Sequence, residues 1–588
     1  MSNKTPILLC FAHILNGGGQ NTRKNGDPED YVLIRFLSEA NWGTIYHVQR
    51  RTSWRIEMRQ LLKNARIYDG TGSEPYVSDI LVEDDRIAKI AANIEDQADN
   101  VIDLTGKSIA SGFIDAHSHN DWFAIRKDPL PYFSPFIRQG ITSFITGNCG
   151  ISAIGFDKDN PYTDKLGGGI FGFRETTGRY GMPDEYFKAT DRKMPCNIAI
   201  LAGHCSARAA AGGNENKPLT PEQEKHMLLI LEDALRKGAA GLSLGLMYTP
   251  GLYADTEELK KVAALCIKYN KPLTVHARAL GKVSMAYPEI FGRPHLLRAM
   301  DELVEIAKGT PLKLQYSHVI FIGTKSFKCK DELMKMFDDL KASGVDLMFD
   351  IYHECVGTTS IPVILPAWYQ GMDPKQRKSL LSKLKLSVIK ASGILLGFTF
   401  DDILVAYMGP GLEKYEGKTV HQVAKEEGLS DLNAYLMLCE KSNFAGRANM
   451  GPYSTPEIIR DLEHKENVLY MTDAWVEDFG VQNPAIYDCF PKFLQDAVTG
   501  LGDTLPNTVR KMTGAVADRF MIKERGYLKE GYYADLTVFD EEKVKNGIPD
   551  REKAFGIEKV FINGRLVLDD DKLDEKALKD TGRAIPVL

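Results

Sequence analysis

Cysteine is sparse and unpatterned: nine in 588 residues, an odd number with no Cys-x-x-Cys pair. That excludes a disulfide framework and fits reduced, mostly buried thiols in a cytoplasmic protein. Long apolar runs are also missing. None approaches the roughly 18 residues of a membrane span, so a membrane protein is not expected. An excess of either charge is missing too. Lys and Arg total 73 against 79 Asp and Glu, a formal net charge of -6. Such a balance gives no electrostatic grip on nucleic acid or an anionic lipid surface, leaving a small molecule as the expected partner. There is no short-period repeat and no low-complexity tract. Ile7 to Leu15 is briefly apolar, but no clear small-residue cleavage site follows it.

What remains is ordinary globular composition, 44% hydrophobic and 26% charged. Residues 1–57 read as an N-terminal extension outside the main fold, with loop signals at Gly17-Gly18-Gly19 and Asn25-Gly26-Asp27-Pro28. Met58 opens a regular strand pattern. Short strands and turns fill 58–111, including a hairpin around Asp84-Asp85, and similar strands recur within 522–575. Neither set is large enough to stand alone, so both chain ends are expected to build one small β-sandwich domain. Between them, 112–521 alternates strands and helices. Thr220, Pro221 and Gln223 form a helix start with a capping box, and Gly238 closes that helix; another helix is expected to begin at Thr256. This alternation predicts an α/β fold with a parallel sheet and helical crossovers.

The strand ends carry the chemistry. The run Gly112 to Asp121 spends its apolar residues first and ends in His117 and His119. Residues i and i+2 of a strand share a side, so both imidazoles can reach one cation. The expected second strand, 142–148, ends at Cys149, the third at His204, and the fourth in Gly245. The fifth ends at His276, the sixth at His318, the seventh at Asp350 and the eighth at Asp473. Eight strands ending in ligating or polar residues predict a (β/α)8 TIM barrel with a metal site at its mouth. Imidazoles, a thiolate and carboxylates suit Zn2+, and a thiolate has lone pairs to bridge two cations. Taken singly, His204 reads as a packed histidine, Asp350 as a rim hydrogen-bonding group and Cys149 as an inert thiol; the set is what argues for a metal.

Gly112 to Asp121, the stretch Gly147-Asn148-Cys149-Gly150-Ile151-Ser152, the segments Gly238 to Ser243 and Gly245 to Tyr253, Tyr316-Ser317-His318, and the tail Arg525 to Asp535 resemble one family. It is the D-aminoacylase (N-acyl-D-amino-acid deacylase) branch of the amidohydrolase superfamily. The resemblance runs from about Met58 to Leu568. Its specific part is Gly-Asn-Cys-Gly, because most of the superfamily bridges its metals with a carboxylated Lys. The resemblance implies that Cys149, His276 and His318 hold the tighter metal, that His117 and His119 complete a second, weaker site, and that Asp473 is the catalytic carboxylate. It implies hydrolysis of a linear C–N amide bond, that of an N-acyl (D-)amino acid or a related small amide. The alternatives are cyclic-amide hydrolysis of the dihydroorotase or hydantoinase kind, or deamination.

The chain departs from that family where a substrate carboxylate is gripped. Asn483-Pro484-Ala485 stands where a His-Pro-Arg is usual, Ile320 where a Lys is usual, and Tyr352-His353-Glu354 where Tyr-Pro-Tyr is usual. The candidate substrate contacts are Arg208, Arg278 and Tyr352, with Lys325 as a further cation near a strand end. Glu354 is expected to repel an acidic substrate if it faces the site.

Overall fold

The computed structural model describes residues 31–32, 48–49, 58–156, 179–284, 286–287, 289, 292–370, 372, 374–377, 386, 393, 395–549 and 554–588. The expected extension 1–57 therefore lies almost wholly outside the described residues. Chain contacts separate Met1–Glu57 from Met58–Leu588 as two units, and the second holds every candidate site residue.

Nine strands from both chain ends form one mixed sheet. Arg59–Tyr68 pairs with Tyr76–Glu83, with Asn100–Asp103 and with Ser108–Ser111. Tyr76–Glu83 pairs in turn with Arg86–Ala91, the expected hairpin around Asp84-Asp85. Ser108–Ser111 is the seam, because its other edge pairs antiparallel with Leu536–Phe539 near the far end of the chain. Ile557–Ile562, Arg565–Asp569 and Lys572–Leu573 continue outward from there. Leu62, Ile67, Ile80, Val82, Leu536, Val538 and Phe561 from the two ends share one apolar core. The β-sandwich of the sequence reading is thus a single continuous hydrogen-bonded sheet, since Ser108–Ser111 joins the two arms edge to edge.

The middle of the chain supplies parallel strands in two sheets. Phe113–Asp115, Ile141–Thr146 and Asn197–Ile200 form the first. Ala202–Gly203, Leu242–Gly245, Pro272–His276, Lys313–Tyr316, Asp346–Ile351 and Val468–Tyr470 form the second. Most of these residues are buried, as expected of a parallel sheet covered on both faces. The expected third strand is broken at Leu201, whose N–H donates to the Thr146 carbonyl while Ala202 donates to Gly241, so one chain segment serves both sheets. At the opposite edges, Ala116 N–H donates to the Tyr470 carbonyl at 3.3 Å and Asp473 N–H to the His117 carbonyl at 3.0 Å.

The crossovers are amphipathic helices. Pro221–Arg236 has the predicted capping box, Thr220 and Gln223 exchanging side-chain and main-chain hydrogen bonds, and it buries Met227, Ile230, Leu231, Ala234 and Leu235. The next helix, Thr256–Lys268, begins where expected and is capped by the Asp255 carboxylate accepting from Glu258 N–H. Between Asp346–Ile351 and Val468–Tyr470 lies a three-stranded antiparallel sheet of Gly357–Ser360, Arg447–Met450 and Ile403–Tyr407. Nothing in the local sequence pattern announced it.

Candidate metal centre and active site

Each expected ligand leaves the C-terminal end of its strand and turns inward. Cys149, His318 and Asp473 do so with left-handed backbones, φ 52°, 39° and 48°. That region costs an ordinary residue roughly 1–2 kcal/mol, and such strain collects at functional sites. Two glycines make the Cys149 turn feasible. Gly147 and Gly150 both have positive φ, and a Cβ on Gly150 would lie 2.5 Å from the Gly245 nitrogen.

The side chains converge around one sulfur. Cys149 Sγ lies 3.4 Å from His117 Nε2, 3.5 Å from His276 Nδ1 and 3.7 Å from His318 Nε2. His276 Nδ1 and His318 Nε2 are 2.7 Å apart. Asp473 Oδ1 lies 3.3 Å from His117 Nε2 and 3.4 Å from His119 Nε2. Two ligand groups result, His117 with His119, Cys149 and Asp473, and Cys149 with His276 and His318; the thiol belongs to both.

Electrostatics suits a cation. Burial holds the His119 imidazole down at about 4 and lowers His276 and His318 as well, so these rings are neutral ligands at neutral pH. Burial pushes the Cys149 thiol up to about 11; a bound cation would deprotonate it outright. Enclosure would raise Asp473, but the charge of His117 and the hydrogen bond from His119 outweigh it and hold the carboxyl well below the usual range. His117 Nδ1, His276 Nε2 and His318 Nδ1 have no hydrogen-bond partner. Three neutral imidazoles, a shared thiol, an ionised carboxylate and His117, whose proton is held by the neighbouring thiol and carboxylates and would be displaced by a cation, are a donor set that fits one or two divalent cations.

Two buried carboxylates hold the ligands in place. Asp350 accepts from His318 N–H at 2.6 Å and from Gln315 at 2.7 Å, and it lies 3.6 Å behind His117 Nδ1. Asp115 accepts from the His117 and Thr472 main chains and from the Thr472 hydroxyl. It thereby clasps the ends of the first and last parallel strands. Sequence reasoning passed over Asp115, although it sits two residues before His117.

A cavity of about 270 Å³ opens on His276, His318 and Asp473. Tyr352 lines it, as do Tyr248, Tyr453 and Ile320. The Tyr352 hydroxyl is buried without a hydrogen-bond partner. The two candidate arginines go elsewhere. Arg208 is fully buried and spends its guanidinium on Glu258 and on the Gly213 and Lys217 carbonyls. Arg278 forks onto Glu302 and donates to the Leu252 and Ala254 carbonyls. Both lie close to carboxylates that absorb their charge, so neither offers a free fork to a substrate. Lys325 is on the short helix Thr324–Cys329 and does not line the cavity. Glu354 pairs with Lys492 and does not line the cavity either, which removes the expected repulsion. Ala485 is buried at a helix start, its carbonyl accepting a hydrogen bond from Gln139. His204 is a packed histidine, its Nε2 2.7 Å from Glu258 and outside the metal groups.

Comparisons with known proteins bear on the fold and the reaction class. Residues 100–322 match the model of the amidohydrolase family. A D-aminoacylase of Alcaligenes xylosoxydans xylosoxydans is 27% identical over 519 residues, 86% of this chain and 94% of its own. An N-acyl-D-glutamate deacylase of the same organism is 27% identical over 86% of this chain and 93% of its own. Among solved structures, a D-aminoacylase superposes with a TM-score of 0.70 at 26% identity, covering 90% of this chain and 99% of its own. An N-acyl-D-glutamate deacylase from Bordetella bronchiseptica, complexed with zinc and a phosphonate inhibitor, has the same fold with a TM-score of 0.73 at 23% identity, over 90% of this chain and 100% of its own. Motifs, fold and relatives together make the chain similar to the D-aminoacylase branch of the amidohydrolase superfamily.

Proposed function

We propose that this chain is a zinc-dependent amidohydrolase that cleaves a linear C–N amide bond, deacylating an N-acyl (D-)amino acid or a related small amide. The observation that carries this is Cys149, whose sulfur touches both ligand groups while Asp473 closes one of them. The names of the relatives, a D-aminoacylase and an N-acyl-D-glutamate deacylase, support the reaction class. We read the two parallel sheets as one eight-stranded barrel, supported by the shared Leu201 segment and the Ala116 to Tyr470 hydrogen bond.

In this reading His276, His318 and Cys149 hold the tighter cation, and His117, His119 and Cys149 the weaker. Zn2+ held there would supply Lewis acidity and lower the pKa of water in the site. The chain's own residues do the rest. Asp473, ionised and facing the cavity, takes the proton of the attacking water and returns it to the leaving nitrogen. Tyr352 stays protonated, its pKa raised well above 10 by burial, and its free hydroxyl donates to the substrate carbonyl oxygen. Asp350 and Asp115 keep the ligand loops from relaxing their strained backbones.

Asp473→Asn keeps the shape and removes the base. General acid–base catalysis is worth about 10²–10⁴-fold, so kcat should fall by at least a hundredfold with metal content unchanged. A loss under tenfold would move the role to another group. A panel of cyclic amides, amines and linear amides separates this reading from hydantoinase-like hydrolysis and deamination.

A further inference from the structure

We propose that the natural substrate is an uncharged amide bearing an apolar group and no free carboxylate, such as an N-acyl amino acid whose carboxyl is itself blocked. This deepens the hydrolase reading and rests on it for the reaction, though not for the shape of the cavity.

The cavity beside the ligands is walled by Leu280, Ile322, Val363, Phe398, Ile403 and Met450. The last two come from the antiparallel sheet that no other part of the mechanism uses. At about 270 Å³ it lies near the lower end of small-molecule sites, roughly 300–1,000 Å³. Among the described residues no Lys or Arg lines it. Apart from His276, His318 and Asp473, its charged lining is Asp431, which faces His421 at 2.9 Å. Its remaining polar groups are neutral: the hydroxyls of Tyr248, Tyr352 and Tyr453 with Ser284, Thr358, Thr359 and Thr399. The arginines near the strand ends are both consumed by Glu258 and Glu302.

A substrate carboxylate entering here would lose its hydration and gain no cation from the wall, which is unfavourable unless the charge is paired. Neutral hydroxyls can instead satisfy an amide or an ester carbonyl. The apolar walls reward a hydrocarbon group in proportion to the surface it buries.

The test uses matched pairs in both stereochemical series: N-octanoyl-leucine and its methylamide, and N-acetyl-leucine and its methylamide. For the full-length zinc-loaded protein, kcat/KM should be at least tenfold higher for the methylamide than for the free acid, and higher for octanoyl than for acetyl. Calorimetric binding of the same compounds to Asp473→Asn reads the cavity without turnover and should show the same order. Ile320→Lys puts a cation on the cavity wall and should shift the ratio at least tenfold toward the acid. Binding of the methylamide without turnover by the wild type would overturn the hydrolase reading and leave this one standing. Equal or tighter binding of the free acid would overturn the inference itself.

Discussion

Two acids show how surroundings decide what a carboxyl does. Asp473 is ionised because imidazoles face it. Glu463 is fully buried, both its oxygens lack a hydrogen-bond partner, and burial, reinforced by the charge of Asp496, lifts it to about 8. The folded protein therefore keeps a proton that the unfolded chain releases above its ordinary 4.5. Its contribution to stability is complete below 4.5 and is lost as pH rises through about 8. Glu463→Gln removes that titration. The apparent unfolding temperature of the variant should exceed that of the wild type at pH 8.5 and match it near pH 5. Parallel pH profiles for the two proteins would refute the assignment.

At the scale of elements, the loops after the strands matter more than the strands. The turn at Cys149 exists because Gly150 can pass against Gly245. Gly150→Ala should leave the secondary structure intact while cutting metal affinity at least tenfold, measured by chelator competition. Unchanged affinity would mean that the strained turn does not set the sulfur's position. The ligands were legible in the sequence because the parallel strands, Leu242–Gly245 excepted, are buried runs followed at their C-terminal ends by His, Cys or Asp. Tyr352 was legible for the same reason, standing just beyond Asp346–Ile351. The fate of the arginines was not, because it depends on Glu258, fifty positions from Arg208, and on Glu302, 24 positions from Arg278. The cavity's outer wall was hidden likewise: Gly357–Ser360 and Ile403–Tyr407 both pair with Arg447–Met450, and such distant pairing leaves no periodic mark. Asp115 was overlooked because its partner Thr472 is 357 residues away.

For the whole molecule, the two chain ends meet in one sheet, and among the described residues 1–57 supply neither a ligand nor a strand to it. A protein starting at Met58 should therefore be soluble, bind metal and retain activity; insolubility or inactivity of that form alone would show that the extension belongs to the fold. The C-terminal tail, by contrast, is integral. Ile198 donates to Arg583, Ile585 to Ile198 and Val587 to Gly238, and the buried Lys271 ammonium donates to the Val587 carbonyl. Among the described residues no helix is long and apolar enough to cross a membrane. The chemistry proposed for the site turns on Cys149 organising a metal centre that hydrolyses amides. The most direct measurement is elemental analysis paired with amide-hydrolysis rates for the wild type, the chelator-treated wild type and Cys149→Ala. The expected result is at least one zinc per wild-type chain, activity lost on chelation and restored by Zn2+, and neither metal nor activity in the variant. Full zinc occupancy and undiminished hydrolysis in Cys149→Ala would contradict it.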